Sequence, residues 1–293
     1  MRVEEIIQWA EYAEKQGYGY IFRSDHLLPT SGRPDLDSPE CWVTLGAIAA
    51  RTQRVNFGPM VSPIGFRNPA LLAKMACTLH SYSKGRLVLS IGAGWYQKEY
   101  EAHGMNFPSL KERKEQFYEA IQIIRPLTEG KPVAFKGKYF SADTYPPKLL
   151  GKMHLVVGGR NSQIIRWAGS YADELNLFSP TLESLEKAKK TLEDTSNGRK
   201  VSVSQMGPFF IGDTQHDLEE RVNRFSKRMG SDQANVREQI SKLRERGILC
   251  GLSRDFLGQV EEKRKAGIER FYFQLLDPSD HEAVELLTKT IRG

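Results

Sequence analysis

The sequence predicts an α/β protein, specifically a (β/α)8 barrel, and three observations support this fold class. Helix-like and strand-like segments alternate along most of the 293 residues, which is typical of a parallel sheet whose strands are connected by helices. That length is normal for a barrel that forms one domain, so we expect a single domain over residues 1–293. Hydrophobic residues make up 40% of the chain, which is enough to bury a large core.

The order of the elements follows from hydrophobic periodicity and from the residues that start and stop helices. The first helix places Ile6, Trp9 and Ala10 on one face and ends at Gly17, a residue type that favours a helix C-terminus. The predicted helices are 3–16, 40–51, 69–82, 109–127, 162–170, 181–195, 254–266 and 281–291, with two more within 215–246. The predicted strands are 18–23, 54–61, 86–92, 154–158, 174–178, 201–211 and 270–276.

Two features depart from a regular barrel. Residues 131–150 break the alternation and carry apolar residues around Phe135 and Tyr139, so we predict a hairpin insertion that is too short to own a core. The chain also opens on a helix, whereas a closed barrel needs a strand before it. We expect this first strand to be absent from the chain and to lie upstream of Met1; alternatively, another segment fills its place.

Composition and charge argue against several classes of protein. The net charge is +6, but basic residues alternate with acidic ones in segments such as 111–115 and 261–265, which is typical of solvated helix faces rather than of a nucleic-acid surface. No run approaches the ~18 apolar residues of a membrane helix, and the N-terminus lacks a signal-peptide pattern. Three widely spaced cysteines favour buried thiols over disulfides. We therefore expect a cytoplasmic protein without a membrane or nucleic-acid partner.

The most specific motif is a strand followed by a glycine loop and an acidic helix start. It runs over residues 85–95 as Gly-Arg-Leu-Val-Leu-Ser-Ile-Gly-Ala-Gly-Trp, and Glu99-Tyr100, Phe107-Pro108 and Lys111-Glu112-Arg113 follow it. Further motifs follow other strands, namely Ser24-Asp25-His26, the segment 58–63 and Gly158-Gly159. In this order the motifs resemble the luciferase-like monooxygenase family, in particular its branch that uses the deazaflavin coenzyme F420.

The positions of these motifs agree with the chemistry that the resemblance implies. Barrel enzymes carry their reactive groups at the C-terminal ends of the strands. The segments that end near residues 25, 60, 93 and 158 all lie at such ends. We therefore expect these four segments to converge around one shared mouth.

Asp25 and His26 form the candidate catalytic pair. A histidine that titrates near neutrality can donate or accept a proton, and a neighbouring carboxylate can orient polar groups. The resemblance implies that His26 lies beside the reactive ring carbon and takes part in proton transfer. The alternative is that Asp25 only caps backbone amides after a strand.

The expected cofactor contacts fall on three loops. The resemblance implies that Met60, Val61 and Ser62 underlie the ring of the cofactor, often with a non-proline cis peptide in this segment. The loop Gly92-Ala93-Gly94 would let the backbone approach the cofactor, where a Cβ would clash; alternatively, it is only a tight turn. No third glycine follows at the spacing of a dinucleotide fingerprint.

The segment Gly158-Gly159-Arg160-Asn161 is the candidate phosphate site. Its small residues expose backbone amides, the next helix offers its N-terminus to an anion, and Arg160 adds a charged partner. The alternative is a helix cap with an arginine in solvent. Trp95 resembles the position that reaches the substrate in relatives, whereas Trp42 is expected in the core. No histidine or cysteine spacing fits a metal site, so we expect none.

These observations predict an oxidoreductase of the luciferase-like type, which transfers hydride between coenzyme F420 and a small organic substrate. The alternative cofactor is FMN, with which the protein would act as a monooxygenase that uses reduced flavin and molecular oxygen. Two rivals of other classes are a flavin-binding barrel without turnover and a metal-free lyase or isomerase. The resemblance also implies a homodimer, with the second and third helices as plausible contact surfaces.

Overall fold

The computed structural model of the chain describes residues 1–30, 37–230 and 235–293. These residues form two compact units, which are described separately below. The first unit consists of residues 1–30 and 37–175 with Leu192–Val201, and the second of Asn176–Thr191 with residues 202–230 and 235–293. That residues 1–293 form one domain stays a prediction.

The first unit alternates helices with parallel strands, as predicted. Its elements are α1 (Val3–Lys15), β1 (Tyr20–Arg23), α2 (Cys41–Arg51), β2 (Asn56–Pro59), β3 (Ser62–Pro63), a 3-10 turn (Ile64–Phe66), α3 (Pro69–Tyr82), β4 (Leu89–Gly92), α4 (Gln97–Ala102), α5 (Leu110–Thr128), β5 (Val133–Lys136), β6 (Ser141–Thr144), β7 (Leu155–Gly158) and α6 (Ser162–Tyr171). Two elements, β8 (Glu174–Phe178) and α7 (Leu182–Thr195), have residues in both units. An expected strand ahead of α1 stays a prediction.

Strand pairing brings the ends of the strands in the first unit together. Strand β1 pairs in parallel with β2, so that Arg23 lies opposite Pro59. Strand β4 pairs in parallel with β3 on one side and β7 on the other, where Ile91 faces Ser62 and Val157. The strands that precede the predicted site loops are therefore neighbours in the sheets.

The hairpin insertion is confirmed, and one carboxylate attaches it to α5. Strands β5 and β6 pair in an antiparallel manner. Glu119 on α5 accepts hydrogen bonds from the backbone amides of Lys138 (2.8 Å), Tyr139 (2.8 Å) and Phe140 (2.9 Å) at the hairpin turn. These are amides that the ladder itself leaves without partners.

Local sequence explains where the helices of the first unit begin. The Asn68 side chain accepts hydrogen bonds from the amides of Ala70 and Leu71, and Pro69 occupies the first position of α3. At α5, Ser109 and Glu112 form a reciprocal capping box. Such caps satisfy amides that have no partner within the helix.

The second unit is organised around one long strand. Its elements are β9 (Ser202–Gly212), α8 (Gln215–Arg228), α9 (Val236–Glu245), β10 (Leu249–Leu252), α10 (Ser253–Lys265), β11 (Arg270–Gln274) and α11 (His281–Arg292). Strand β11 pairs in parallel with the first half of β9, and β10 with the second half. Apolar side chains of β9, α10 and α11, among them Ile211, Phe256 and Leu287, pack into a common core.

The sequence predicted every long element but missed four short ones. These are β3, which has two residues, the 3-10 turn, which has three, α4, which has six, and β10, which has four. Elements this short contain too few residues for a periodic pattern to show. The predicted helices and strands otherwise recur with shifts of a few residues at their ends.

Lys263 on α10 is a charged side chain in the interior of the second unit. It is 7% exposed, and its ammonium group donates to the carbonyl oxygens of Pro180 (2.9 Å) and Gly247 (2.5 Å) and to Oε1 of Gln205 (2.9 Å). Burial lowers the pKa of Lys263 from 10.5 to about 8. One side chain thus joins the residues after β8, the middle of β9 and the turn before β10.

We expect Lys263 to make stability depend on alkaline pH. Its pKa is about 8 in the folded protein, against 10.5 for an unperturbed lysine side chain. Because the folded state binds fewer protons than the unfolded state between these values, this contribution to stability rises with pH there. Relative to Lys263→Met, the wild type should gain about 1.5 kcal/mol between pH 8 and 9.5. Urea unfolding of both proteins at both pH values measures the difference. A constant difference would contradict the assignment.

Candidate functional site

The segment after β2 is the centre of the candidate site. The peptide bond between Met60 and Val61 is cis, as the resemblance implied. A Cβ on Gly92 would lie 2.5 Å from Val61 Cγ2, and a Cβ on Gly158 would lie 2.7 Å from Val61 Cγ1. The ends of β4 and β7 therefore touch the side chain of Val61, and larger residues at either glycine would displace it.

Asp25 belongs to a buried ion-pair network. Its carboxylate is 1% exposed and accepts hydrogen bonds from Ser62 Oγ (2.6 Å) and from the two terminal nitrogens of Arg67 (2.6 and 3.2 Å). Arg67 also pairs with Glu40, which caps α2 through the amide of Val43 (2.7 Å). Burial opposes the charge of Arg67, but the carboxylates of Asp25 and Glu40 outweigh it and raise the pKa of Arg67.

Asp25 and His26, the candidate catalytic pair, have different partners. Asp25 bonds Ser62 and Arg67, whereas the ring of His26 bonds Glu99. Asp25 therefore holds the loop in place, and its assignment as a catalytic residue stays a prediction without a contact to support it.

His26 instead forms a pair with Glu99 of α4. Its Nδ1 lies 3.1 and 3.0 Å from the two carboxylate oxygens of Glu99, and Glu99 also accepts a hydrogen bond from the amide of Leu27 (3.0 Å). The Glu99 side chain is 1% exposed, whereas that of His26 is 21% exposed. The carboxylate is thus buried behind the ring, and the ring reaches solvent.

This arrangement determines what the imidazole can do. An ionised carboxylate only accepts hydrogen bonds, so Nδ1 of His26 carries the hydrogen and Nε2 remains to accept or donate a proton. A carboxylate partner also fixes the orientation of the ring. The pair can therefore exchange one proton with a molecule bound in front of His26.

Two aromatic side chains lie against His26. The rings of Trp95 and Tyr96 lie edge-on to the imidazole, with centroids 5.7 and 6.2 Å away, and stack on each other at 5.2 Å. Trp95 is 64% exposed, so its ring is accessible to a ligand; its role as a substrate contact stays a prediction. Trp42 is buried, as expected, and donates to Ser62 Oγ (3.1 Å).

The glycine loop packs on a buried tyrosine. Gly94 has a φ of +77°, which favours glycine, and a Cβ there would lie 2.5 Å from Tyr100 Oη. Ala93 is half-buried. Contacts within the protein therefore already require glycine at positions 92 and 94, which agrees with the alternative that this loop is only a tight turn. That the two glycines also make room for a cofactor stays a prediction.

The candidate phosphate loop presents a cation beside a helix N-terminus. Asn161 caps α6 by accepting from the amide of Gln163 (3.0 Å). Arg160 is exposed, and within the described part of the chain its guanidinium has no ion-pair or hydrogen-bond partner. Gly159 packs on Ile164, which a Cβ would approach to 2.8 Å. Both the helix-cap interpretation and an anion site are compatible with this geometry.

The structure thus brings the four predicted strand ends together. Ser62 bonds Asp25, and Val61 touches Gly92 and Gly158. Sequence reasoning missed Glu99 and Tyr96 as neighbours of His26, and it missed Arg67. The signal for Glu99 was its place in the most specific motif, but only the fold shows that it meets a histidine 73 residues away.

We expect Arg67 to be essential for the stability of this loop cluster. Arg67→Met would leave Asp25 buried without a counter-charge, which should cost about 3–5 kcal/mol of unfolding free energy. The double variant Arg67→Met/Asp25→Asn should recover part of that loss. Arg51→Met is the control, because Arg51 forms an exposed pair with Glu11. Chemical denaturation that shows equal losses for Arg67→Met and Arg51→Met would contradict the prediction.

Comparison with known proteins shows the family of the chain. Residues 1–276 match the family model described as luciferase-like monooxygenase. Over 218 residues the chain is 30% identical to a protein named F420-dependent glucose-6-phosphate dehydrogenase from Amycolatopsis mediterranei, which covers 68% of this chain. The match spans 65% of the length of that relative.

Two solved structures have the same fold. An F420-dependent secondary alcohol dehydrogenase in complex with an F420-acetone adduct aligns with a TM-score of 0.82 at 22% identity and covers 100% of this chain and 96% of its own. The oxygenating constituent of 3,6-diketocamphane monooxygenase from the CAM plasmid of Pseudomonas putida, in complex with FMN, aligns with a TM-score of 0.74 at 19% identity and covers 99% and 94%.

These likenesses confirm the predicted fold class, the TIM barrel of luciferase-like proteins. None of the helices in the described ranges is long and apolar enough to cross a membrane. All three cysteines are buried and free, as expected. The chain belongs to the luciferase-like monooxygenase family.

Proposed function

We propose that this protein is an F420-dependent oxidoreductase that transfers hydride between coenzyme F420 and a carbon that carries a hydroxyl or carbonyl group. The observation that carries this proposal is the pairing of His26 with the buried Glu99 beside the exposed Trp95. Oxidising an alcohol at carbon requires that its hydroxyl proton be taken up as the hydride leaves. The Nε2 of His26 is placed to take that proton.

The names of similar proteins support the same reaction class. Both the glucose-6-phosphate dehydrogenase and the secondary alcohol dehydrogenase are named as F420-dependent and as acting on a hydroxyl-bearing carbon. They differ in the body of the substrate, a sugar phosphate or a small alcohol. The common element is the reacting carbinol, and we assign this element to the present protein.

The residues at the strand ends fit a deazaflavin or flavin with a phosphate. Arg160 and the first turn of α6 offer a positive charge and amide donors, which suit a phosphate group. The other residues that we assign to the cofactor are Met60, Val61, Ser62, Gly92, Ala93, Gly94, Gly158, Gly159 and Asn161. The bound deazaflavin would supply the two-electron hydride chemistry.

The protein would supply position and proton management. Glu99 would hold the ring of His26 through Nδ1 and leave Nε2 to the substrate, and Trp95 and Tyr96 would pack beside the imidazole. Asp25 would act indirectly, because its bonds to Ser62 and Arg67 hold the loop that carries His26. Asp25 is a positioning residue in this proposal, and His26 is the catalytic one.

FMN is the alternative cofactor, and one observation favours it: a structure of similar fold contains FMN. With FMN the protein would be a monooxygenase rather than a dehydrogenase. A barrel that binds flavin without turnover is the rival of another class. We further propose a small-molecule substrate, a cytoplasmic location and a homodimer, in which exposed apolar residues such as Val43 on α2 and Leu71 on α3 would be covered.

We expect the purified protein to bind F420 in preference to FMN. Arg160 and the amides at the start of α6 can bind the phosphate of either cofactor, so titration with each cofactor, followed by fluorescence, is the measurement that distinguishes them. Reduction of F420 with a panel of secondary alcohols then tests turnover. Tight FMN binding without F420 binding would overturn the choice of cofactor. Stoichiometric F420 binding with no reduction by any alcohol would favour the binding-only rival.

We expect His26→Ala to keep F420 affinity while lowering turnover by about 10²–10⁴-fold, the usual contribution of a proton-transfer group. Glu99→Gln should lower kcat by up to about 10⁴-fold, because the amide can stabilise the wrong tautomer of His26. Glu99→Asp should restore part of the rate. Steady-state kinetics that leave kcat unchanged in His26→Ala would remove its assigned role.

A further inference from the structure

A groove on the first unit lies next to the candidate phosphate loop and has no role in the site described above. It encloses about 560 Å³. Its walls are one face of α5, the turn of the hairpin and the beginning of α6. The residues that line it include Lys111, Lys114, Glu115, Tyr118, Lys138 and Gln163.

The two carboxylates in this groove, Glu115 and Glu119, are bound by groups of the protein. The carboxylate of Glu115 is engaged by the hydroxyl of Tyr139 (2.6 Å) and by Lys138 (3.2 Å), and these hydrogen bonds lower the pKa of Glu115. Glu119, the other carboxylate in the groove, accepts the three amides of the hairpin turn. Both carboxylates are therefore already satisfied by the protein.

Unlike the two carboxylates, the ammonium groups of Lys111 and Lys114 are not engaged by other side chains in the part of the chain that the structure describes. Within the described ranges neither has an ion-pair or hydrogen-bond partner for its side chain. They lie three residues apart on α5 and hence about one helical turn apart on the same face. The groove thus presents two ammonium groups without a hydrogen-bonded partner among the described residues, about 5 Å apart along the helix axis. The charge of Lys111 also acts on Glu115 and helps to lower its pKa.

The groove continues from the phosphate loop. Gln163, which lines it, is the second residue of α6, and its amide is capped by Asn161. The exposed Arg160 lies just before that cap. A ligand whose phosphate sat on this helix start could continue directly into the groove, where Lys111 and Lys114 are the cations without a partner among the described residues.

We propose that the groove binds the acidic end of the cofactor, the part that follows its phosphate. This inference rests on the proposed function, since F420 differs from FMN in carrying glutamate carboxylates beyond a phosphodiester. Lys111 and Lys114 would pair with these carboxylates, and Tyr118, which is 39% exposed, would contact the chain that carries them. The groove thereby gives the protein a basis for preferring F420 over a flavin that ends in phosphate.

The test compares two ligands on charge-reversed proteins. The ligands are F420 and the corresponding deazaflavin that has a ribityl chain but neither phosphate nor carboxylates, and binding is followed by fluorescence. The variant is Lys111→Glu/Lys114→Glu. The control is Lys15→Glu/Lys190→Glu, which makes the same change of charge at exposed lysines on α1 and α7, and thermal unfolding checks that all proteins are folded.

We expect the groove variant to lose about tenfold in affinity for F420, since each exposed ion pair contributes roughly threefold. The affinity for the tail-free deazaflavin should not change, and the control should bind both ligands like the wild type. Raising the salt concentration should weaken F420 binding more in the wild type than in the groove variant.

Other outcomes separate the two proposals. Unchanged F420 affinity in the groove variant, with wild-type binding intact, overturns the groove assignment and leaves the proposed function standing. An equal loss for both ligands also overturns it, because a general disturbance would then be the cause. Failure of the wild-type protein to bind F420 overturns the proposed function and, with it, the groove.

Discussion

The short segment Met60–Pro63 is the constraint on which the rest of the site depends. Its serine hydroxyl bonds Asp25 and accepts from Trp42, and its valine fills the space that two glycines leave open at the ends of β4 and β7. Each contact is of van der Waals or hydrogen-bond length, so a change of residue at any of these positions is transmitted to the others. The segment connects four strand ends that are far apart in the sequence.

Much of the fold could be predicted from the sequence because its signals are local. Alternating periodicities, the proline at the start of α3 and the Ser109 capping box each act within one turn of helix or a few residues of strand. The hairpin was predictable for the same reason. Strand β10 was not, since its four residues lie between two charged helices and include a glycine, which leaves no pattern to detect.

The site was predictable in its location but not in its pairings. The motifs predicted His26 and the adjacent Asp25 as a catalytic pair at the mouth, but they did not predict the partner of either side chain. The structure supplies Glu99 instead, and it gives Asp25 to Arg67. Contacts between residues 73 and 42 positions apart depend on how strands and helices pack, and no local pattern encodes them. The chemical role of a residue type was therefore easier to predict than the identity of its hydrogen-bond partner.

The attachment of the hairpin to α5 through Glu119 has a wider consequence. The hydrogen bonds that Glu119 accepts from the turn come from main-chain amides, so this connection does not depend on which side chains residues 138–140 carry. A second connection does depend on them, because the side chains of Lys138 and Tyr139 bond Glu115 of the same helix. Substitutions in the turn could therefore change the charge of the surface beside α6 while the main chain of the turn stays attached to α5.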